Sequence, residues 1–220
     1  MNARRIFTQF FLLVLSGFVQ ISAYAQTLQY STIDLSGRVI VTVPSHWFVR
    51  DAAGRQDIAA ATNAILDPTG RLGGSVHASS LSVLSSADRP QVIFRVSFVN
   101  ETGSQADLIQ DLARGKDAIV RDLAENWKQQ ASVLAGILER QGGRYLGEER
   151  FDIINVGGKK AMLISYRRAS VLGGAPFRVS QYHIPMGADK ILITASVQES
   201  SSRLMQPIVD RMLATVLIHR

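Results

Sequence analysis

Four stretches of β-forming residues follow one another in the carboxy-terminal third of the chain, and turn residues separate them. The stretches are 151–156, 159–168, 177–186 and 191–197. Gly157-Gly158 and Gly173-Gly174 stand between the first three, and glycine pairs of this kind favour tight turns. Because consecutive strands joined by short connections pair antiparallel, the pattern predicts an antiparallel meander.

A long helical stretch precedes these strands, from Ser104 to about Arg140. Its leucine, isoleucine and tryptophan side chains recur at spacings of four and seven residues, which is typical of an amphipathic helix. Ser104 is suited to be the N-cap, and Gly142-Gly143 is suited to end the helix. Since a glycine costs about 1 kcal/mol inside a helix, we expect Gly115 to divide the stretch into a short helix and a longer one.

Shorter elements are predicted before the long helix and after the meander. A β-branched run over 37–43 ends at Pro44, which cannot donate to a sheet ladder, so a strand should end there. Proline is tolerated in the first turn of a helix, which places the start of a final amphipathic helix between Ser202 and Pro207. The remaining predictions are strands over 76–84 and 91–99, a short helix over 57–66, and core positions for Trp47 and Trp127.

The alternation of polar and apolar residues in the meander suggests a register. If Arg168 opposes Arg178 and Met186 opposes Ile191, the apolar side chains share one face of the sheet. The opposite face then carries the candidate binding residues, which are Ser165, Arg167, Gln181, His183, Thr194 and Ser196. Arg168 and Arg178 would be like charges on neighbouring strands, which is unfavourable unless an acidic group lies nearby.

The first 25 residues have the features of a secretory signal peptide. Arg4 and Arg5 precede an apolar run from Phe10 to Ile21 that is shorter than the roughly 20 residues a membrane-spanning helix needs. We therefore expect cleavage and no stable membrane anchor afterwards. The residues expected at the cleavage site are Ala23, Ala25 and Gln26, which leaves 26–220 as one domain.

Charge and cysteine content exclude several classes of function. The whole chain has a net charge of +6, and without Arg4 and Arg5 it keeps 22 basic and 18 acidic side chains, or +4. No basic run is longer than two residues, so nucleic-acid binding is not expected. The chain has no cysteine, which removes thiol catalysis, disulfides, cysteine-ligated zinc and lipid attachment at an amino-terminal cysteine.

No constellation of residues predicts catalysis. The four histidines are His46, His77, His183 and His219. None lies three or four residues from another, so their spacing does not indicate a metal site. Ser75 is not part of a G-x-S-x-G motif, and the adjacent Glu148 and Glu149 would point to opposite faces of a strand. We therefore predict no catalytic residue, no metal and no cofactor.

The order of these elements resembles the PsbP and DcrB group of the Mog/PsbP-like fold, over most of residues 35–218. The resemblance is carried by the strand that leads into Pro44-Ser45-His46-Trp47, the long helix, strands such as Gly158 to Tyr166, and the final helix. It implies an α+β fold in which helices flank an antiparallel sheet. It also implies that the protein works by binding other proteins, since the family shares no active site, and it departs from bacterial relatives that are lipoproteins.

We expect an exported, non-catalytic accessory or protein-binding module of the cell envelope. Its expected place is the periplasm of a Gram-negative bacterium, with secretion as the alternative. The partner would be an envelope protein or a small ligand that the sequence does not identify. Two other functions stay open: a small envelope hydrolase that uses His183, and a small-molecule carrier with a deep apolar pocket between sheet and helix.

Overall fold

The structure is a computed structural model that describes residues 28–50, 81–100, 103–170 and 173–219. The expected signal peptide and its expected cleavage site therefore lie outside the described residues. So do the helix expected over 57–66, Ser75, His77 and the first part of the strand expected over 76–84.

Ten strands and three α-helices form in the described part of the chain. The strands are β1 (Tyr30–Leu35), β2 (Val39–Pro44), β3 (Phe48–Val49), β4 (Leu81–Leu84), β5 (Val92–Val99), β6 (Tyr145–Val156), β7 (Lys159–Arg168), β8 (Phe177–Pro185), β9 (Lys190–Gln198) and β10 (Leu217–Ile218). The helices are α1 (Gln105–Arg114), α2 (Lys116–Arg140) and α3 (Ser202–Ala214), and a 3-10 turn at Glu199–Ser201 leads into α3.

Seven of these strands form one sheet in the order β3-β4-β5-β9-β8-β7-β6, and every neighbouring pair is antiparallel. The predicted meander is confirmed as β6 to β9, and β5 pairs with its last strand. β1, β2 and β10 form a second, three-stranded antiparallel sheet. Antiparallel sheets flanked by helices make this an α+β fold, as the sequence predicted.

The helical stretch begins, is interrupted and ends at the residues that the sequence predicted. The Ser104 hydroxyl accepts the backbone N–H of Asp107 at 3.0 Å and caps α1. Gly115 separates α1 from α2 with a φ of 129°, a value that favours glycine. After α2, Gly142 has a φ of 77° and Gly143 donates its backbone N–H to the Leu138 carbonyl at 2.7 Å, which terminates the helix.

The side chain of Gln105 fastens α1 to the seven-stranded sheet. Its amide nitrogen donates to the carbonyls of Lys160 and Pro185, at 2.9 and 3.0 Å. Its amide oxygen accepts the backbone N–H of Lys160 at 2.9 Å. Just before the helix, Gly103 and Gly187 exchange two backbone hydrogen bonds of 3.0 and 2.8 Å. The start of α1 is thus bonded to β7, β8 and the β8–β9 turn.

The final helix starts at Ser202, as expected, but Pro207 is its sixth residue and lies beyond the first turn. Because proline has no N–H, the carbonyl of Arg203 lacks its usual helical donor there. The helix ends at Ala214, so Leu217 belongs to β10, where it is 54% exposed.

Both faces of the large sheet are packed against other elements. One face packs against α3 and the small sheet in a core that contains Trp47, Phe94, Ile193 and Met212. The other face packs against α2 in a second cluster, whose buried members are Trp127, Leu134, Leu138, Ile164, Tyr166, Phe177 and Val179. Trp47 and Trp127 are each 6% exposed, which confirms both as core anchors.

Two contacts hold the small sheet against the large one. Arg38 donates two hydrogen bonds to the Asp189 carboxylate, at 2.7 and 2.9 Å, and its guanidinium lies 4.5 Å from the Phe98 ring centre. At the β6–β7 turn, Gly157 has a φ of 56°, and a Cβ there would come within 2.9 Å of the Ile218 side chain. The close approach of β10 to this turn therefore depends on glycine.

We expect Gly157→Ala to destabilise the protein more than Gly158→Ala does. Both glycines have positive φ, which costs alanine about 1 to 2 kcal/mol, but nothing lies within 4 Å of a Cβ at Gly158. At Gly157 the clash with Ile218 adds about 1 kcal/mol or more. Urea unfolding of the two variants measures this difference, and equal losses of unfolding free energy would contradict the close packing of β10.

Candidate functional site

The structure divides the six candidate residues between the two faces of the sheet. Arg167, and not Arg168, opposes Arg178, and Ile184, and not Met186, opposes Ile191. The predicted register is therefore wrong by one residue between β7 and β8, which turns every β7 side chain to the other face. Between β8 and β9 it is wrong by two residues, which leaves the faces of these strands as predicted. The separated groups are Gln181, His183, Thr194 and Ser196 on one face and Ser165 and Arg167 on the other.

The composition of β7 explains the error in register. Four consecutive apolar residues, 161–164, occupy the middle of this strand, so both of its faces are apolar. Met162 and Ile164 lie on the α2 side, whereas Leu163 lies on the α3 side opposite Tyr182. Both faces of β7 are covered, and a strand buried on both sides has no alternation to fix its register.

Arg167 belongs to an ion-pair network on the α3 side of the sheet. It donates two hydrogen bonds to Glu199, at 2.6 and 2.8 Å, and a third to Glu148. Arg178, directly across from it, also donates to the Glu148 carboxylate, at 2.9 Å. The predicted pair of like charges therefore exists with acidic groups beside it. The residue opposite Arg178, however, is Arg167 and not Arg168.

The two adjacent glutamates engage different partners. Glu148 lies in a β-bulge with a φ of 57°, which turns its carboxylate toward Arg167 and Arg178. Hydrogen bonds from Arg167 and then Arg178 hold the pKa of Glu148 below its usual range. Glu149 instead accepts the hydroxyl of Tyr145, and Tyr145 accepts the indole N–H of Trp127 at 3.0 Å.

We call Gln181, His183, Thr194 and Ser196 the polar face. Gln181 stands directly opposite Thr194, and His183 and Ser196 lie two residues away from them on the same side. Ser196 is 4% exposed, whereas the other three are partly exposed. The polar face adjoins the cluster under α2, because Ile164 of that cluster lies directly opposite Gln181.

His183 is a neutral hydrogen-bonding group. Its Nε2 atom is buried and has no hydrogen-bond partner. Burial, and then the nearby charge of Lys190, lower the pKa of His183 to about 3. A histidine with so low a pKa accepts protons weakly near neutral pH, so it is poorly suited to general-base catalysis.

Three residues that the sequence patterns did not indicate extend the polar face across the sheet. Arg50 donates its backbone N–H to the Ser82 carbonyl at 2.9 Å and so continues the pairing of β3 with β4. Ser82 opposes Arg95, and Arg95 opposes Thr194. The result is a continuous cross-strand row: Arg50, Ser82, Arg95, Thr194 and Gln181. The sequence contains one signal that could have indicated this row, which is a polar residue inside an apolar strand, as at Arg95 between Phe94 and Val96.

Arg168 reaches the same region from β7. It lies on this side of the sheet opposite Phe177, with its guanidinium 4.8 Å from that ring centre. Burial, and then repulsion from Arg168 and Arg50, lower the pKa of Arg95 to about 10. Burial raises the pKa of Tyr166 to about 12, so its hydroxyl stays uncharged near neutral pH.

A groove of about 310 Å³ lies between α1 and α2. Its lining includes Asp111, Arg114 and Asp122, and it does not separate the sheet from a helix, as the apolar pocket of a carrier would. Within the described ranges, no group of three or more histidine or acidic side chains is placed to hold a metal ion. The helices in those ranges are not long and apolar enough to cross a bilayer.

No protein-family model and no curated protein matches the chain. Among solved structures, it is similar to cyanobacterial PsbP (CyanoP) from Synechocystis sp. PCC 6803, with 10% identity, a TM-score of 0.50, and coverage of 90% of this chain and 96% of that one. The yeast Ran-binding protein Mog1p from Saccharomyces cerevisiae aligns with 13% identity, a TM-score of 0.41, and coverage of 87% and 96%.

A Bacteroides thetaiotaomicron protein aligns with 10% identity and a TM-score of 0.42 over 86% of this chain, which spans about half, 47%, of its length. The likeness to PsbP covers both chains nearly end to end, so the chain has the Mog/PsbP-like fold, as predicted. At this identity the likeness shows the fold and not the function.

The stability of the protein should fall as the pH is lowered from 6.5 toward 3. In this range the unfolded chain binds a proton at His183 that the folded protein does not, because the folded pKa is about 3. The expected slope from this one group is at most about 1.4 kcal/mol per pH unit. Denaturant unfolding at several pH values measures it.

The variant His183→Gln should reduce the change in unfolding free energy per pH unit. The matched control, His46→Gln, replaces an exposed histidine and should leave this change as it is in the wild type. Equal slopes in the wild type and His183→Gln would show that His183 is not held neutral by its surroundings.

Proposed function

We propose that the protein is an exported, non-catalytic accessory or binding module of the cell envelope, and that the polar face is its contact surface. The observation that carries this proposal is that Gln181, His183 and Thr194 are partly exposed side by side while the Nε2 atom of His183 has no partner. A buried polar atom without a partner costs about 1 to 3 kcal/mol, and a bound group that hydrogen-bonds to it would recover that cost.

The chemistry of the polar face supports binding over hydrolysis. Glutamine and threonine side chains donate and accept hydrogen bonds but do not transfer protons near neutral pH. The only titratable member of the polar face is His183, and its pKa of about 3 makes it a poor base. The hydrolase that the sequence left open would need this histidine to activate a nucleophile.

Export is the second part of the proposal. The leader over residues 1–25, with its two arginines and its small residues before Gln26, supports cleavage that leaves 26–220 as the mature domain. A periplasmic location in a Gram-negative bacterium fits a cysteine-free chain that folds without disulfides. The PsbP-like fold is compatible with a non-catalytic module, and kinship with DcrB within that fold is part of the proposal.

The intact mass of the protein from a periplasmic fraction should correspond to a chain that begins at Gln26. Ala25→Arg should block processing, because signal peptidase requires a small residue at this position, and Tyr24→Phe should leave it unchanged. Recovery of the full-length chain in the cytoplasmic fraction would contradict export.

The contact surface is tested by affinity capture from an envelope extract followed by mass spectrometry. The variant Gln181→Ala/Thr194→Ala removes two groups of the polar face, and Gln129→Ala/Gln130→Ala changes two exposed residues of α2 as the control. We expect a protein that the wild type and control retain to be reduced about tenfold with the first variant. Equal retention by both variants would show that the polar face is not the contact surface.

A further inference from the structure

The long strand β6 lies at one edge of the seven-stranded sheet. Its 12 residues pair with β7 on one side, and no strand of the described ranges pairs with its other side. An edge strand of this length presents a row of backbone N–H and carbonyl groups, to which a strand of another molecule can pair. The opposite edge of the sheet offers less of this surface, because β3 has only 2 residues.

The turn between β6 and β7 determines which backbone groups of β6 point outward. It consists of two glycines with positive φ, of 56° and 74°, as in a common two-residue hairpin turn. The residues that flank such a turn, Val156 and Lys159, form a hydrogen-bonded pair, and pairs with and without hydrogen bonds alternate along the two strands. The residues of β6 whose N–H groups point away from β7 are therefore Phe151, Ile153 and Asn155.

Asp152 occupies the middle of this outer edge. Its carboxylate accepts the backbone N–H of Ile153 at 2.8 Å, as expected of a group that points away from β7. The carboxylate also forms an ion pair with Lys116 at the start of α2, and Arg150 approaches it at 3.7 Å. Hydrogen bonding from Lys116, and then from the Ile153 backbone, holds the pKa of Asp152 below its usual range, so the group is charged near neutral pH.

Irregular pairing limits the edge on the amino-terminal side of Asp152. The register of β6 with β7 shifts between Tyr145 and Gly147 and again between Gly147 and Arg150. Bulges of this kind interrupt the row of hydrogen-bonding groups and twist an edge strand. The regular part of the edge is therefore 150–156, and the Asp152 carboxylate lies within it.

We infer that Asp152 keeps the outer edge of β6 from pairing antiparallel with the same edge of a second copy of this chain. Two copies of one strand related by a two-fold axis offer each other the same groups, so the regular edge is complementary to itself. Pairing would require the Ile153 N–H and would bring the Asp152 carboxylates of both copies into one interface, where a charge loses hydration. The inference does not depend on the proposed function, because β6 is not part of the polar face.

The test is the oligomeric state of the purified protein, measured by sedimentation velocity over a range of concentrations. Asp152→Ala removes the carboxylate and should lower the dissociation constant of a dimer at least about tenfold relative to the wild type. Lys116→Gln is the matched control, because it breaks the ion pair but leaves the carboxylate on the edge, and it should sediment as the wild type does. The double variant Asp152→Ala/Asn155→Pro should also behave as the wild type, because proline has no N–H to donate to a second copy.

Asp152→Asn keeps the test decisive if Asp152→Ala does not fold, since it removes the charge at nearly constant shape and should favour the dimer in the same direction. An unchanged dissociation constant in every folded Asp152 variant would overturn the inference. An equal shift in Lys116→Gln would overturn it as well, since the cause would then be the attachment of α2 to β6. A dimer that persists in the double variant would reject the β6 edge as the interface.

Discussion

The rest of the structure depends on the pairing of β9 with β5 on one side and β8 on the other. This strand joins the carboxy-terminal meander to the amino-terminal strands and lies at the centre of the seven-stranded sheet. Its alternation sends Ile191, Ile193 and Val197 toward α3 and the small sheet, and Thr194 and Ser196 to the opposite side. A slip of one residue would exchange the core with the polar face, so the apolar packing also fixes where the polar groups stand.

The α3 side of the large sheet carries a partly exposed network of ion pairs. On the α3 side, a β-bulge brings Glu148 between Arg167 and Arg178, and Glu199 at the end of β9 completes the network. Breaking such a pair would leave one charge without its partner, so the network is tied to the local geometry.

Sequence patterns predicted the elements of this fold better than they predicted which side chains share a face of the sheet. Ser104, Gly115 and Gly142 mark helix boundaries through local backbone chemistry, which a short window of sequence contains. The register of β7 is not local: its apolar middle suits either face, so Ser165 and Arg167 were placed on the wrong side. Gln181, His183, Thr194 and Ser196 were grouped correctly because β8 and β9 alternate. The additions from β4 and β5 required the strand order, which only the folded chain supplies.

The attachment of α1 through Gln105 has a consequence for how the molecule opens. The carboxamide acts as a short piece of extra strand, because it occupies one backbone N–H and two carbonyls at the ends of β7 and β8. The helix cannot detach from the sheet without breaking its hydrogen bonds to those two strands. We therefore expect one cooperative opening event, in which α1 detaches, β7 frays at Lys160 and the turn at Gly187 loosens together. Slow exchange of the Lys160 amide proton would report directly on how firmly this helix is seated.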